Sequence, residues 1–480
     1  MSSKQEPTLI LEPLGPGCFY LQAPSVGLKM LCGSPPDAIK LLSARGHVQA
    51  TTLSGYYAES GPNAILLNDR LTQAGEICNL TEFPVLHMLY KQGMAIPGHP
   101  NHQAQPPLLI GKSSQLTGQA EYLKRGNYGL YDLKEYRGLG VSVSNAKMHL
   151  DLKEQFAYGQ FLDTSELMNL VSFDQPSLQI QGLTLTRAKT NHFKAELEGE
   201  EVQFSLDLPP GESYRTSYEL PAQETPSPRF GVLHIGEGDG WDTQRPCLNT
   251  VVIAGEHKYL IDAGPFVSQN LQTLGIDPTS LAGLCVTHVH DDHFGGFYNL
   301  IQQDPNLKIF ATPRVFSSLV KKYCALIGET EESLRNQLNF EPLTSRKWNS
   351  IGDLMIKPIP SAHPIDTTLL LFRMKTKGRY KTYGHLADIV SLSHLCTLVS
   401  RCRQSKAALR LQQQLIKVYQ LPLDLKKVDI GGDPIHGQAS DFSQDTSKAL
   451  LLSHTSTELP LSQQTFGRQP KFGDLDILIP

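Results

Sequence analysis

Short apolar runs separated by glycine- or proline-containing turns dominate the second half of the chain. The runs that predict strands lie at 230–235, 250–253, 258–262, 284–287, 307–311, 367–374, 379–383 and 448–453. Apolar residues at helical spacing lie at 297–303, 314–326 and 407–418. Groups of strands with intervening helices are typical of a two-layered sheet core that is covered by helices.

The first half gives a weaker pattern. Residues 29–33 predict a strand, and residues 37–44 predict the helix after it, with Pro36 near its first turn. From about residue 178 to residue 220, short strands predominate. This mixture predicts an α+β domain.

A proline-rich segment separates the two patterns. Residues 221–229 contain three prolines among small and polar residues, which favours an extended spacer. We therefore predict an N-terminal α+β accessory domain over residues 1–225 and a second domain over residues 229–480. The role of the first domain is left open among a lid, a dimerisation surface, a degenerate duplicate and a binding site for a partner or polymer.

Composition excludes several classes of protein. The net charge is −4, from 43 basic and 47 acidic residues, and 40% of residues are hydrophobic. A long block of one charge, an apolar run of membrane-spanning length and a basic-then-apolar signal at the start are all missing from the sequence. Its eight cysteines include no CxxC pair, which is typical of reduced thiols. We expect a cytoplasmic protein without a membrane segment or a general nucleic-acid-binding surface.

A histidine cluster directly follows the strand predicted at 284–287. It reads Thr287-His-Val-His-Asp-Asp-His-Phe-Gly-Gly296 and contains the pattern HxHxDH. Histidine suits borderline metals such as Zn²⁺, and aspartate adds an oxygen ligand. On a strand-to-helix turn, His288 and His290 can face one pocket while Asp292 and His293 face a second pocket. Two metal ions about 3.5–4 Å apart are the arrangement of binuclear hydrolases.

This motif resembles that of the metallo-β-lactamase fold superfamily, in its RNase Z and phosphodiesterase-like branch. The resemblance covers about residues 229–480 and implies an αββα sandwich. Matching positions follow in the family's order: Asp262 at a strand end, His363 after a strand, Asp388 after the segment Tyr383-Gly-His, and His454 at the end of a late strand.

The resemblance also implies the metal ligands. One ion is expected on His288, His290 and His363, the other on Asp292, His293 and His454, with Asp388 bridging both. Asp262 would orient the histidine loop. Two divalent ions follow, with Zn²⁺ expected and Mn²⁺ or Fe²⁺ as alternatives. Because position 291 is also an aspartate, it could compete with Asp292 as a ligand.

The full ligand set resembles that of hydrolases. Diiron oxygen reductases of the superfamily carry glutamate in place of the second histidine, and scaffold members lose ligands. We expect a phosphodiesterase in which a metal-bridging hydroxide attacks phosphorus, acting on a small-molecule or nucleotide-like phosphodiester. The alternatives are a carboxylic ester, thioester or lactone hydrolase, and a binding scaffold with a vestigial metal site. A homodimer is left open.

Four further features bear on the substrate. The glycine-rich residues 235–240, followed by Asn249, resemble the first loop of the RNase Z branch. Residues 373–381 hold five basic side chains that could meet phosphates. The segment from 287 to 326 is similar to metallo-β-lactamase domains that are joined to cyclic-nucleotide-binding modules. His436 is the candidate that protonates the leaving oxygen, with His385 in reserve, and Asp292 orients the nucleophile or accepts its proton.

Cys32 is the one other candidate for reactivity. It lies at a predicted strand end before a predicted helix, a place that can stabilise a thiolate. The alternative is a buried structural cysteine.

Overall fold

The computed structural model describes residues 7–103, 105–402, 405–432 and 434–480, apart from the side chains of residues 103 and 463. The first six residues lie outside this range, and the expectation of no secretory signal rests partly on them. The chain divides into two compact units. The first comprises Met1–Lys124, Leu162–Ser217 and Ala325–Ile327, and the second comprises Arg125–Phe161, Tyr218–Cys324 and Gly328–Pro480.

The strands are numbered along the chain. In the first unit they are β1 Ile10–Gly15, β2 Cys18–Ala23, β3 Leu28–Cys32, β4 Ala50–Leu53, β5 Tyr56–Glu59, β6 Ala64–Leu66, β7 Thr72–Gln73, β8 Glu76–Ile77, β9 Leu108–Gly111, β10 Asn169–Ser172, β11 Ser177–Ile180, β12 Leu183–Lys189, β13 His192–Leu197 and β14 Glu200–Ser205. In the second unit they are β15 Phe230–Gly236, β16 Asn249–Ala254, β17 His257–Ile261, β18 Gly283–Cys285, β19 Lys308–Ala311, β20 Asn339–Pro342, β21 Asn349–Ile351, β22 Leu354–Pro360, β23 Thr368–Thr376, β24 Arg379–Leu386, β25 Leu425–Asp429, β26 Leu450–Ser453 and β27 Leu475–Ile479.

The helices follow the same convention. They are α1 Ala38–Ala44, α2 Glu82–Leu86, α3 Ser113–Tyr128, α4 Leu133–Gly138, α5 Val143–Phe156, α6 Thr164–Leu167, α7 Val267–Thr273, α8 Asp291–Phe294, α9 Phe297–Gln303, α10 Pro313–Ile327, α11 Glu331–Gln337, α12 Leu392–Arg401 and α13 Lys406–Tyr419. Of the described residues, no helix is both long and apolar enough to cross a membrane.

The second unit is a sandwich of two sheets. Among the described residues the first sheet has the order β20-β19-β18-β17-β16-β15-β27, and the second has the order β21-β22-β23-β24-β25-β26. Buried side chains from both sheets meet in one core, for example Val252 and Ile261 of the first sheet with Ile356 and Phe372 of the second. The predicted αββα sandwich is confirmed.

Helices cover the outer face of each sheet of this unit. Phe316 of α10 stacks on Phe340 of β20 with ring centroids 3.7 Å apart. A second core cluster joins α12 and α13 to the second sheet, and it includes Met148 and Leu152 of α5. A helix from the N-terminal half of the sequence is therefore part of the second unit's core.

The first unit has a larger and a smaller sheet as well. The larger has the order β1-β2-β3-β6-β9-β10 and the smaller has the order β11-β12-β13-β14, counting described strands. Their inward side chains form one core, which includes Met30, Ile110 and Phe193. The predicted α+β class of this part is confirmed.

The first unit repeats the strand order of the second. In the larger sheets, β1-β2-β3-β6-β9-β10 corresponds to β15-β16-β17-β18-β19-β20, with two antiparallel pairs followed by three parallel pairs in both. In the smaller sheets, β11-β12-β13-β14 corresponds to β21-β22-β23-β24, antiparallel throughout. Of the sequence's open alternatives for this half, this topology favours the degenerate duplicate.

Equivalent backbone hydrogen bonds fix the correspondence residue by residue. Gly33 N donates to Leu66 O at the end of the first parallel pair. The same bond in the second unit joins Asp262 N to Cys285 O. Gly33 therefore corresponds to Asp262, and Leu66 corresponds to Cys285. Asp69 and His288 each lie three residues after these strand ends, so they correspond to each other.

The predicted boundary between residues 225 and 229 remains a prediction. Residues 218–224 belong to the second unit, as does the whole segment from Arg125 to Phe161. Helices α4 and α5 of this segment are N-capped by Asp132 and Ser142, whose side chains accept hydrogen bonds from Lys134 N and Asn145 N.

Candidate metal centre

The histidine motif lies where β18 ends and the chain turns into α8. His290 is the N-cap of α8 and has extended backbone, with φ −66° and ψ 152°. Because side chains two apart in extended backbone share a face, His288 and His290 form one pair, and the helical turn directs Asp292 and His293 to a different side. All four side chains are buried.

Four side chains form a first donor set: His288, His290, His363 and Asp388. His363 lies in the loop between β22 and β23, and its Nε2 is 3.2 Å from His290 Nδ1. Asp388 Oδ2 is 3.3 Å from His288 Nε2 and 3.4 Å from His363 Nε2. The set places three imidazole nitrogens and one carboxylate oxygen around one point.

A second donor set consists of Asp292, His293 and His454. His454 directly follows β26, and its Nε2 is 3.1 Å from Asp292 Oδ2 and 3.2 Å from His293 Nε2. His293 Nε2 is 3.6 Å from Asp292 Oδ2. The structure therefore brings together all seven residues that the sequence placed at the two sites.

Asp388 joins the two sets. While its Oδ2 faces the first set, its Oδ1 is 3.1 Å from His293 Nε2 and 3.6 Å from His454 Nε2. One carboxylate thus offers one oxygen to each set, which is the arrangement required of a bridging ligand.

The spacing of these atoms fits metal coordination. Ligand atoms about 2.0–2.1 Å from a tetrahedral Zn²⁺ are about 3.4 Å from one another, and the distances above run from 3.1 to 3.6 Å. His288 Nε2 and Asp388 Oδ1 are buried and make no hydrogen bond. Asp388 Oδ2 lies 3.3 Å from the first atom and His293 Nε2 lies 3.1 Å from the second. The donor set therefore fits two divalent cations.

Burial and mutual charge determine the ionisation of these groups. Burial alone would raise the pKa of Asp388, but the neighbouring histidines, His454 foremost, hold that pKa well below its usual range. Burial lowers the pKa values of His290 and His363 well below the ordinary range. Burial alone would also lower those of His293 and His454, but Asp388 raises the pKa of each well above its ordinary value, so a metal ion at their donor set must displace a proton. Carboxylate and neutral imidazole are the forms that bind a metal ion.

Asp262 supports the histidine turn. It accepts hydrogen bonds from Thr287 N at 2.7 Å, from Thr287 Oγ1 at 2.5 Å and from His293 Nδ1 at 2.8 Å. Asp262, Asp388 and His454 all adopt left-handed backbone, with φ of 61°, 49° and 60°. Strained backbone of this kind concentrates at functional sites.

Asp291 and Asp292 point to different partners. Lys322 of α10 donates from Nζ to Asp291 Oδ1 at 2.9 Å and to Val289 O at 2.5 Å. Asp292 lies in the second donor set instead. This geometry favours Asp292 over Asp291 as a metal ligand, because a buried lysine engages Asp291.

His436 lies beside the donor sets and is more accessible than the ligands, with 16% of its side chain exposed. A ring nitrogen of His436 lies within 4.8 Å of donor atoms from Asp388 and His454. Its Nδ1 is 2.9 Å from Asp429 Oδ2. Burial alone would lower the pKa of His436, but Asp429 raises it above its ordinary value.

Asp429 is a functional candidate that the sequence reasoning missed. It also accepts from Gly431 N at 2.8 Å and lies 3.5 Å from His454 Nδ1. Its position at the end of β25, two residues before a pair of glycines, was an available signal. Lys322 offered no such signal, because a lysine within an amphipathic helix is usually exposed.

The remaining candidates lie elsewhere or are inert. His385 is buried in β24, where its Nδ1 is 2.8 Å from Tyr383 Oη, and burial lowers its pKa well below the ordinary range. The basic hairpin turns at Lys377, roughly 25 Å along β24 from the end that bears Asp388. Burial raises the pKa of the Cys32 thiol well above its usual value, so this cysteine is not a thiolate.

The glycine-rich loop contacts the backbone of His454. Glu237 O accepts a hydrogen bond from His454 N at 2.9 Å. A Cβ atom at position 236 would lie 1.9 Å from Cys247 O, so only glycine allows the loop to pass this close to the Cys247 backbone. Asn249 Oδ1 accepts from Gly264 N at 3.0 Å and so ties this loop to the turn after β17.

In the part of the first unit that the structure describes, these donor sets have no counterpart. Its position equivalent to His288 is Asp69, which pairs with Arg187 at 3.1 Å and Lys112 at 3.4 Å. Among the described residues, every cluster of three or more groups with metal-binding geometry lies in the second unit. In the first unit, two basic side chains balance the charge of Asp69 at the position where the second unit has His288.

Comparison with known proteins places this site in a family context. Residues 230–384, about a third of the chain, match the model of a family described as anti-Pycsar protein Apyc1. The chain is 26% identical over 129 residues to a cGMP-dependent 3′,5′-cGMP phosphodiesterase A of Dictyostelium discoideum, a match that covers 27% of this chain and 14% of that protein. It is 36% identical over 80 residues to a ribonuclease Z of Pyrobaculum aerophilum, which covers 16% of this chain and 28% of that protein.

Among solved structures, the chain is similar to a metallo-β-lactamase fold protein of Bacillus subtilis, with 14% sequence identity and a TM-score of 0.37. The aligned region covers 51% of this chain and 98% of that protein. The chain spans well under a third of the length of the relatives it matches by sequence. The expected resemblance to RNase Z and phosphodiesterases of the metallo-β-lactamase fold superfamily is confirmed by the sequence matches, which cover 27% and 16% of this chain.

Proposed function

We propose that this protein is a binuclear metal-dependent phosphodiesterase. The observation that carries the proposal is the pair of donor sets that share Asp388, one carboxylate oxygen to each. His288, His290 and His363 would hold one ion, and Asp292, His293 and His454 would hold the other. Zn²⁺ suits this mixture of imidazole and carboxylate, and Mn²⁺ or Fe²⁺ can bind similar sites.

When bound, two such ions lower the pKa of a water molecule and neutralise charge that develops on the phosphoryl group. The chain's own residues then have distinct tasks. Asp292 is placed to orient the attacking water and to accept its proton, since its Oδ1 makes no hydrogen bond. The oxygen of that water bonds to phosphorus while the bond from phosphorus to the leaving oxygen breaks.

His436 would protonate the leaving oxygen. Asp429 fixes the orientation of the imidazole through Nδ1 and favours its protonated form. An alkoxide leaving group needs such a proton, whereas a thiolate or a metal-stabilised alkoxide does not. The His436–Asp429 pair therefore suits an alkoxide leaving group, such as that of a phosphodiester, better than the thiolate of a thioester. His385 is the poorer general acid, because burial lowers its pKa well below the ordinary range and so disfavours the protonated form.

For the substrate we favour a small, nucleotide-like phosphodiester. Support comes from two sequence relatives, a 3′,5′-cGMP phosphodiesterase and a 3′,5′-cAMP/cGMP phosphodiesterase. The net charge of −4 gives no general attraction to a nucleic-acid polymer. We accordingly rank cyclic nucleotides first among the substrates to test.

The test compares four substrates on full-length protein reconstituted with Zn²⁺ or Mn²⁺: 3′,5′-cGMP, 3′,5′-cAMP, bis(p-nitrophenyl) phosphate and p-nitrophenyl acetate. We expect phosphodiester turnover. We also expect His436→Ala to reduce it about 100-fold or more, because general-acid catalysis contributes that much. His257→Ala is the matched control, since His257 is exposed on β17, and it should match the wild type.

Three outcomes would change the proposal. Phosphodiester turnover that His436→Ala leaves intact would remove the role of that histidine. Turnover of p-nitrophenyl acetate alone would move the assignment to the ester hydrolases. A metal-loaded protein that is inert toward all four substrates would favour a binding scaffold with a vestigial site.

A further inference from the structure

The loop that carries His363 is held by a buried carboxylate. Asp366 lies three residues after His363, between β22 and β23, and its side chain is fully buried. Ser361 N donates to Thr367 O at 3.0 Å, which closes the loop into a compact unit. Displacement of Asp366 would therefore move His363 with it.

The groups that hold Asp366 come from a distant part of the sequence. Its Oδ2 accepts from Lys153 Nζ at 2.6 Å and from Leu130 N at 3.0 Å. Its Oδ1 accepts from Tyr136 Oη at 2.9 Å, and Arg314 Nη1 lies 3.8 Å away. Three of these four groups belong to the segment 125–161, more than 200 residues before the loop.

Lys153 also forms hydrogen bonds within the segment 125–161. Besides Asp366, its Nζ donates to Tyr128 O at 3.0 Å and to Leu130 O at 2.9 Å, so all three of its protons have acceptors. Its side chain is only 3% exposed. A buried ion pair of this kind is costly to break, because removing one partner leaves the other charge unpaired.

Close backbone packing adds a second connection. Gly129 has φ +60°, and a Cβ at this position would come within 2.9 Å of Asp366 Oδ2 and 3.1 Å of Ile365 Cβ. Only glycine permits both this backbone conformation and this approach. The turn after α3 is thus shaped to fit the loop of His363.

We infer that Asp366, together with Lys153 and Tyr136, positions His363 for metal binding. The segment 125–161 thereby completes the metal centre although it contributes no ligand. This inference rests on the proposed metal centre. Groups that orient a metal ligand typically change metal affinity by 10- to 100-fold when they are lost.

The test titrates Co²⁺ into metal-free, full-length protein and follows the visible absorption of the bound ion. The variants are Lys153→Met, which removes the buried cation, and Tyr136→Phe, which removes one hydroxyl and keeps the ring. Lys40→Met and Tyr214→Phe are the matched controls, since both remove buried polar groups from the first unit.

We expect the wild type and both controls to bind two ions with the same affinities. In Lys153→Met and Tyr136→Phe one of the two binding steps should weaken about tenfold or more, with a changed absorption band for that ion only. If Lys153→Met does not fold, Tyr136→Phe decides alone.

Two results would overturn the inference, and they are distinguishable. If the wild type binds two ions and Tyr136→Phe gives the same two affinities and spectra, the metal centre stands and the positioning role fails. If the wild type binds no Co²⁺, the proposed metal centre itself fails, and the inference with it.

Discussion

Asp388 connects the two donor sets through its two oxygens, and it does so from left-handed backbone at the end of β24. Asp262 and His454 share this conformation. Asp262 and His454 directly follow β17 and β26, and Asp388 lies two residues after β24. The turn that begins there directs each side chain to the sheet edge where the other donor groups lie. Strain of about 1–3 kcal/mol at each such residue is tolerated when the surrounding structure fixes it.

Asp262→Asn should weaken metal binding at the second donor set. The carboxylate accepts three hydrogen bonds, two from Thr287 and one from His293 Nδ1, and an amide cannot accept all three. We expect a loss of about 10- to 100-fold in affinity for one ion, measured by competition with a chromophoric chelator. Asp277→Asn is the control, because Asp277 is an exposed cap elsewhere in the unit. Equal affinities in both variants would contradict the assigned role.

Glu76 gives a pH-dependent prediction for stability. Burial raises the pKa of its carboxyl from 4.5 to about 8. The folded state therefore retains a proton that the unfolded chain has lost, so stability falls as pH rises from about 4.5 to about 8. Glu76→Gln removes this titration.

Thermal unfolding of wild type and Glu76→Gln at a series of pH values would test this. The variant should be similar to the wild type at pH 5 and increasingly more stable toward pH 8, by up to about 1.4 kcal/mol per pH unit relative to the wild type. A difference in stability that does not change with pH would show that the carboxyl is not perturbed in this way.

Among the elements, α5 has the least expected position. Met148 and Leu152 lie in the same core cluster as the second sheet, α12 and α13, although residues 125–161 precede the predicted domain boundary. A fragment of residues 229–480 would lack this helix. It would expose the apolar surface that α5 covers, and we expect it to be less stable than the full chain.

Leu152→Ala tests the contribution of α5 in the full-length protein. Leu152 is 2% exposed, so we expect a loss of about 2–5 kcal/mol in the unfolding free energy of the second unit. Urea-induced unfolding would measure it. Leu409→Ala is the control, since Leu409 is 45% exposed on α13, and it should have little effect. Equal midpoints for the two variants would contradict a structural role for α5 in this core.

The elements that were predicted well are those with local patterns. The helix expected at 407–418 is α13, Lys406–Tyr419, and the strand expected at 258–262 is β17, His257–Ile261. The packing of α5 was not predictable, because it depends on contacts between residues more than 200 positions apart. Nothing in the sequence around Lys153 indicates that its partner is Asp366.

The candidate site was largely predictable for a related reason. The motif HxHxDH is local in sequence, and the resemblance to the superfamily supplied the positions of His363, Asp388 and His454. The residues that support the ligands were harder to find, since Asp429 and Lys322 act through contacts that only the folded chain creates.

For the whole molecule, the repeated strand order suggests a division of roles between the two units. The second unit holds both donor sets, and the first has Asp69 paired with basic side chains at the position of His288. We therefore expect each chain to bind about two metal ions, both in the second unit.

The most direct test of the binuclear centre is elemental analysis of metal in the purified full-length protein after reconstitution with Zn²⁺, beside Asp388→Asn. We predict about two zinc ions per wild-type chain and fewer in the variant, because an amide offers only one good ligand oxygen to two ions. A metal-free wild type, or a zinc content that Asp388→Asn leaves at two, would contradict a centre that Asp388 bridges.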